Sequence, residues 1–282
     1  MAPAMVLGEP PRFGYAHSDN MTTFPPRVRL GRSQLEVGPL AVSGGYGVGA
    51  APLREAFERG VNYFYHGSRR SEGMREAVRE IAKSGQRERL VLVLQSYSRW
   101  GGLLEHFFLK GLKSLNLEYA DVLLLGLFND CPSPKLMDRV EAMRQKGLFR
   151  HLAISAHRRS QFVEYAKDSR YDILHIRYSA AHSGAERDVF PHVPSDNRPG
   201  IVAYTATAWG KLLKPGRMPA GEAPLRARDC YRFVLSNKDF NLCMTGPRDA
   251  QQMQEALAAL DEGAMSPDEL ERCRRIGQHV HG

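Results

Sequence analysis

From about residue 28 onward, short runs of β-branched and leucine-rich residues alternate with stretches whose apolar residues return every three or four positions. The first kind reads as buried strands and the second as amphipathic helices. Eight strands are predicted: Leu40–Ser43, Val61–Tyr65, Leu90–Gln95, Asp121–Leu125, His151–Ser155, Ile173–Arg177, Ile201–Thr205 and Asn241–Met244. Helices are predicted near Leu53–Arg59, Ser71–Lys83, Leu103–Ser114, Pro134–Lys146, Ser160–Lys167, Ala185–Phe190, Ala227–Ser236 and Ala250–Leu260. Near-continuous apolar strands, each followed by a helix, require a parallel sheet covered by helices. Eight such units favour closure, so the expected fold is α/β: a (β/α)8 TIM barrel forming one domain over residues 27–282.

Two additions flank the barrel. Val28–Leu40 reads as two short strands about a turn at Arg32-Ser33, a hairpin placed to plug the N-terminal end. Ser266-Pro267-Asp268-Glu269 combines an N-cap Ser, Pro at N1 and first-turn acids, and opens an extra C-terminal helix to about Gly277. Residues 1–26, rich in Pro and small residues and without periodicity, read as a flexible N-terminal arm.

Composition narrows the class. With 43% hydrophobic and 25% charged residues the chain has the balance of a globular protein with a sizeable core. No apolar run approaches the roughly 18 residues that span a bilayer, and the start lacks a basic cluster ahead of an apolar core, so no membrane association is expected and a cytoplasmic location is. Cys131, Cys230, Cys243 and Cys273 are scattered, with no Cys-x-x-Cys pair, and read as reduced thiols with no metal site. The net charge of +8 raises nucleic acid as a partner. The basic residues are dispersed, however, and their longest clusters are pairs, so a solvated helical surface explains the charge and a small molecule is the expected partner.

In such barrels the chemistry gathers on the loops after the strands. Those positions hold Gly44-Gly45-Tyr46-Gly47, Tyr65-His66-Gly67, Gln95-Ser96-Tyr97, Gly126, Ser155-Ala156-His157, Arg177-Tyr178-Ser179, Tyr204-Thr205-Ala206 and Thr245-Gly246-Pro247-Arg248. The last group opens onto a helix N-terminus with a guanidinium beside it, a set suited to phosphate and equally explained as an ordinary turn.

A series of segments carries a resemblance. Arg29-Leu30-Gly31-Arg32-Ser33 through Val37, Gly60-Val61-Asn62-Tyr63-Phe64, Tyr119 through Leu125, Ile154-Ser155, Ile201 through Thr205 and Thr245-Gly246-Pro247 follow one another in the order and spacing of the aldo/keto reductase superfamily. The resemblance implies NADP as cofactor. Tyr204 matches the aromatic beneath the nicotinamide, Ser155 a hydroxyl on its carboxamide, and Thr205 a hydroxyl near the phosphates. Gly246 and Arg248 lie in the loop that grips the 2′-phosphate, and His175 stands where the family places Gln. Ala156 and Ala256 replace two expected Asn residues. The usual catalytic residues are also replaced: Tyr65 stands for Asp, Arg70 for the donor Tyr, Gln95 for Lys and Gly126 for His.

An unassisted phenol is a poor acid near neutrality. The residues available to rebuild the chemistry are Tyr65 as proton donor, with His66 or Arg69 tuning it. The expected function is an NADP-dependent oxidoreductase with a non-standard site. The alternatives are a catalytically inactive NADP(H)-binding barrel, acting as sensor or partner protein, and a barrel enzyme such as a lyase that uses no nicotinamide.

Overall fold

The computed structural model describes residues 23–67 and 70–281. The arm expected over residues 1–26 falls almost wholly outside the described residues, as does Arg69. Ten strands are described: β1 (Val28–Arg29), β2 (Glu36–Val37), β3 (Leu40–Ser43), β4 (Tyr63–His66), β5 (Val91–Ser96), β6 (Ala120–Leu125), β7 (Phe149–Ser155), β8 (Ile173–Arg177), β9 (Gly200–Tyr204) and β10 (Leu242–Thr245). Strands β3 to β10 pair in parallel in sequence order, and β10 pairs back onto β3, so the sheet closes. The helices are α1 (Ala50–Glu58), α2 (Glu72–Lys83), α3 (Gly101–Leu115), α4 (Pro134–Gln145), α5 (Arg159–Lys167), α6 (Ala185–Asp188), α7 (Ala227–Leu235), α8 (Ala250–Glu262) and α9 (Pro267–His281).

Two apolar layers hold this arrangement. Ala41, Tyr63, Val93, Val122, Ala153, Ile173, Val202 and Leu242 fill the barrel interior. The larger layer between strands and helices is built from residues such as Phe57, Phe64, Leu92, Leu123, Phe149, Ile154 and Phe233. Strands apolar on both faces are what a helix-covered parallel sheet demands.

The hairpin forms as expected, with Val28 opposite Val37 and Leu30 N–H donating to Leu35 O at 2.9 Å. Leu30 and Val37 are fully buried and cap the interior layer from below. Gly200 makes room for this plug, since a Cβ there would stand 2.6 Å from the Leu30 side chain.

Several predicted boundaries shift. Helix α1 begins at Ala50, three residues early. The predicted Ala185–Phe190 helix breaks into α6 and a 3-10 turn over Phe190–His192, because Pro191 cannot continue an α-helical ladder. Helix α9 runs past Gly277 to His281; Gly277 is packed against Ala180, where a Cβ would meet the Ala180 Cβ at 2.9 Å. Among the described residues no helix is long and apolar enough to cross a membrane, and no His/Cys/Asp/Glu group could hold a metal.

Candidate active site

Side chains alternate along a strand, so Tyr63 and Tyr65 of β4 both face the barrel interior. Tyr63 is fully buried and meets His175 of β8, with 2.8 Å between the phenolic oxygen and Nε2. Burial lowers the His175 pKa to about 3, so this imidazole is neutral and spent on Tyr63. It lies within the packed interior, only 3% exposed, and not at the open mouth where the resemblance placed a cofactor contact.

Tyr65 stands one step higher and is half-buried. Its hydroxyl donates to Gln95 Oε1. Burial raises the Tyr65 pKa far above the ordinary phenol value, and the neighbouring phenols of Tyr97 and Tyr46 push the same way. Gly126 lies against this pair. A Cβ on Gly126 would collide with the Gln95 amide and stand 2.7 Å from the Tyr97 ring. Three positions that the resemblance matched to acid–base residues therefore pack on one another as a phenol, an amide and a glycine. The fourth, Arg70, is exposed with a left-handed φ of 48° beside Gly47, 3.9 Å from where a Cβ of that glycine would lie.

His66 does not join them. Alternation turns it away from the interior, and its Nε2 is buried with no hydrogen-bond partner among the described residues. Desolvation, aided by the Arg75 charge, lowers its pKa to about 4.

On the opposite wall Ser155, Arg177 and Tyr204 end β7, β8 and β9, with Arg177 in register with Tyr204. Ser155 Oγ accepts from Leu127 N–H at 3.0 Å, which leaves its own proton free to be donated. The Tyr204 hydroxyl lies 3.5 Å from Ala156 O, and burial raises its pKa to about 12 against the opposing pull of Arg177. Thr205 is left-handed (φ 62°) and its hydroxyl donates to Tyr204 O at 2.6 Å, so its proton is already committed.

After β10, Gly246 lies under the ring of Tyr46, where a Cβ would meet Cε2 at 2.7 Å. Arg248 is exposed, and its guanidinium has no ion-pair partner among the described residues. Its backbone N–H donates to Gln252 Oε1 at 3.1 Å, and Asp249 caps α8 by accepting from Gln252 N–H at 2.8 Å.

Two contributors were not assigned from the sequence. Tyr97, 59% exposed, is more open to solvent than the neighbouring phenol of Tyr46, at 47%. Arg99 clamps its surroundings, donating to Tyr97 O (2.9 Å), Gly126 O (3.1 Å) and Leu127 O (2.6 Å) while its guanidinium lies 3.6 Å from the Phe128 ring centroid. The position of Tyr97 at a strand end was a usable signal. Nothing in the sequence around Arg99 announces three backbone carbonyls from two loops.

Comparison with known proteins agrees with this architecture. Solved structures of an aldo-keto reductase from Bacillus halodurans in its holo form (19% identity, TM-score 0.72) and of an aldo/keto reductase from Klebsiella pneumoniae in complex with NADP and acetate (20% identity, TM-score 0.71) are similar. The first match covers 89% of this chain and 95% of that one, the second 90% and 96%. A Klebsiella pneumoniae aldo-keto reductase in complex with NADPH matches at 21% identity and TM-score 0.70, over 89% of this chain and 95% of that chain. No curated protein matches the sequence. The model of the aldo/keto reductase family matches residues 50–229, well over half of the chain, and with the closed barrel and its plug this makes the protein a member of the aldo/keto reductase family.

Proposed function

We propose that the chain is an NADP(H)-dependent oxidoreductase that reduces a small-molecule carbonyl with a rebuilt proton donor. The observation that carries this reading is the convergence of Tyr65, Gln95, Tyr97 and Gly126 at the mouth, facing the wall that holds Ser155 and Tyr204. An unused catalytic pocket would tend to fill with apolar side chains; this one holds phenols and an amide.

The donor set suits the dinucleotide at both ends. Ser155 keeps a proton for a carboxamide, Tyr204 offers a half-buried ring at the next wall, and Arg248 is an exposed cation for a 2′-phosphate. When bound, NADPH supplies the hydride. His175 takes no part, since Tyr63 holds its ring nitrogen.

Reduction leaves an alkoxide that needs a proton. Tyr65 is poorly placed to give one, because its hydrogen points to Gln95 and burial raises its pKa. Tyr97 is open to substrate and solvent, so it donates to the substrate oxygen and recovers a proton from water. Tyr65, beside it, keeps its own proton on Gln95, and the Arg99 clamp holds the loop that carries Tyr97.

One observation favours a second reading, a binding-only barrel. Among the described residues no lysine or arginine bonds to either phenol, so neither has the cation that makes a phenol an efficient acid. Titration of NADPH into the full chain, followed by fluorescence, tests what both readings share: saturable one-to-one binding, lost with Tyr204→Ala. Absence of binding would dismiss both.

A further inference from the structure

A cleft of about 360 Å³ opens on the rim of the barrel, between the N-termini of α3 and α4, and among its lining residues are Arg99, Trp100, Gly102, Ser133, Lys135 and Arg139. The volume is at the small end of those that hold small organic ligands. Its lining contains three cationic side chains and no carboxylate. Arg139 is paired with Glu105 at 3.2 Å, but Glu105 is shared with Lys146 at 2.9 Å, so it does not neutralise the cleft. Arg99 and Lys135 have no carboxylate partner among the described residues. Three of the five Arg99 N–H donors are fixed on backbone carbonyls, which holds the charge in place and leaves two donors unengaged.

The backbone adds to this field. Helix α3 has fifteen residues and no side-chain cap at Trp100, so its first-turn amides must find partners outside the helix. Gly102, within that turn, has nothing within 4 Å of where a Cβ would stand, so no side chain crowds the cleft at that position. Trp100, 72% exposed, supplies a flat apolar wall. A bare ion needs no such wall; an acid group attached to an organic body does.

We propose that this cleft binds the phosphate or carboxylate group of a small-molecule ligand through Arg99, Lys135 and Arg139. The loops that form it also carry Tyr97 and Gly126, and Arg99 bridges the two by its bond to Gly126 O. The ligand is therefore the substrate, an acid-bearing carbonyl compound anchored at the rim; this last clause alone rests on the oxidoreductase reading.

Inorganic phosphate is the probe for the site. Calorimetry on the full chain should give saturable one-to-one binding with a dissociation constant on the order of 1 mM. In Trp209→Phe, which leaves Trp100 as the single tryptophan of the two in the chain, the same titration should change the fluorescence. Lys135→Glu places an acid in the first turn of α4, where the helix tolerates it, and should weaken phosphate by about ten-fold or more. No saturable binding, or affinity unchanged in Lys135→Glu, would overturn the site. So would saturation by a heparin fragment in the absence of any response to inorganic phosphate, which would assign the positive face to a polymer. The substrate clause is tested by binding 4-carboxybenzaldehyde and benzaldehyde to the NADPH-loaded chain. Preference for the acid by about ten-fold, lost in Lys135→Glu, is expected. Equal affinities with phosphate binding intact would remove that clause alone, whereas failure to bind NADPH with phosphate binding intact would fault only the oxidoreductase reading.

Discussion

The hydroxyl of Tyr65 donates to the side-chain amide oxygen of Gln95, so two residues that the resemblance matched to acid–base positions are bonded to each other. Tyr65→Phe leaves that oxygen without its donor in a mostly buried setting. The expected cost is about 1–3 kcal/mol of stability, read from urea denaturation midpoints. A variant as stable as the native chain would mean that the bond carries no structural weight.

Gly126 is what makes room for that pair. Gly126→Ala would drive a methyl group into the Gln95 amide and the Tyr97 ring. Both are ends of side chains that can move, so we expect a folded protein that has lost about 1–3 kcal/mol and has its mouth rearranged. Crystals of the variant should show Tyr97 displaced; an unmoved Tyr97 would contradict the packing described above.

The fold was legible because barrel strands and helices write distinct periods into the chain, and β3 and β8 fall on the predicted residues. The ends of elements were not, because they depend on local stops such as Pro191 or on contacts such as Gly277 against Ala180. At the site, motif spacing identified Tyr65, Ser155 and Tyr204 as strand-end residues. It could not say where each hydroxyl spends its proton, nor that His175 is held by Tyr63, a residue 112 positions away in the chain. Arg99 was missed for the same reason: its partners are backbone carbonyls, which carry no sequence signal.

Arg248 should discriminate between cofactors. Its guanidinium is exposed and can meet a 2′-phosphate that NADH lacks. Arg248→Ala is expected to weaken NADPH by about 1.5–3 kcal/mol and leave NADH nearly unchanged, as measured by fluorescence titration. Equal losses for the two would place the 2′-phosphate elsewhere.

Stability should fall in acid through His175. An unfolded histidine takes up a proton below about pH 6.5, whereas the buried folded ring resists until about 3. Between those values the unfolded state binds more protons, so stability is fully present above the unfolded pKa and is lost as pH falls. The slope from this one group is at most about 1.4 kcal/mol per pH unit. In His175→Gln, which can still accept from Tyr63, the acid loss should be shallower, as read from melting curves between about pH 7 and about pH 4.5. An identical pH profile in the variant would assign the acid sensitivity to other groups.

The claim that Tyr97 hands the proton to substrate is tested most directly by stopped-flow oxidation of NADPH in the native chain and in Tyr97→Phe, each saturated with cofactor and offered acid-bearing aldehydes. The native chain should consume NADPH, and Tyr97→Phe should be slower by about 10²-fold or more with its NADPH affinity unchanged. Equal rates in the two proteins, or no consumption by native chain that has NADPH bound, would contradict the account.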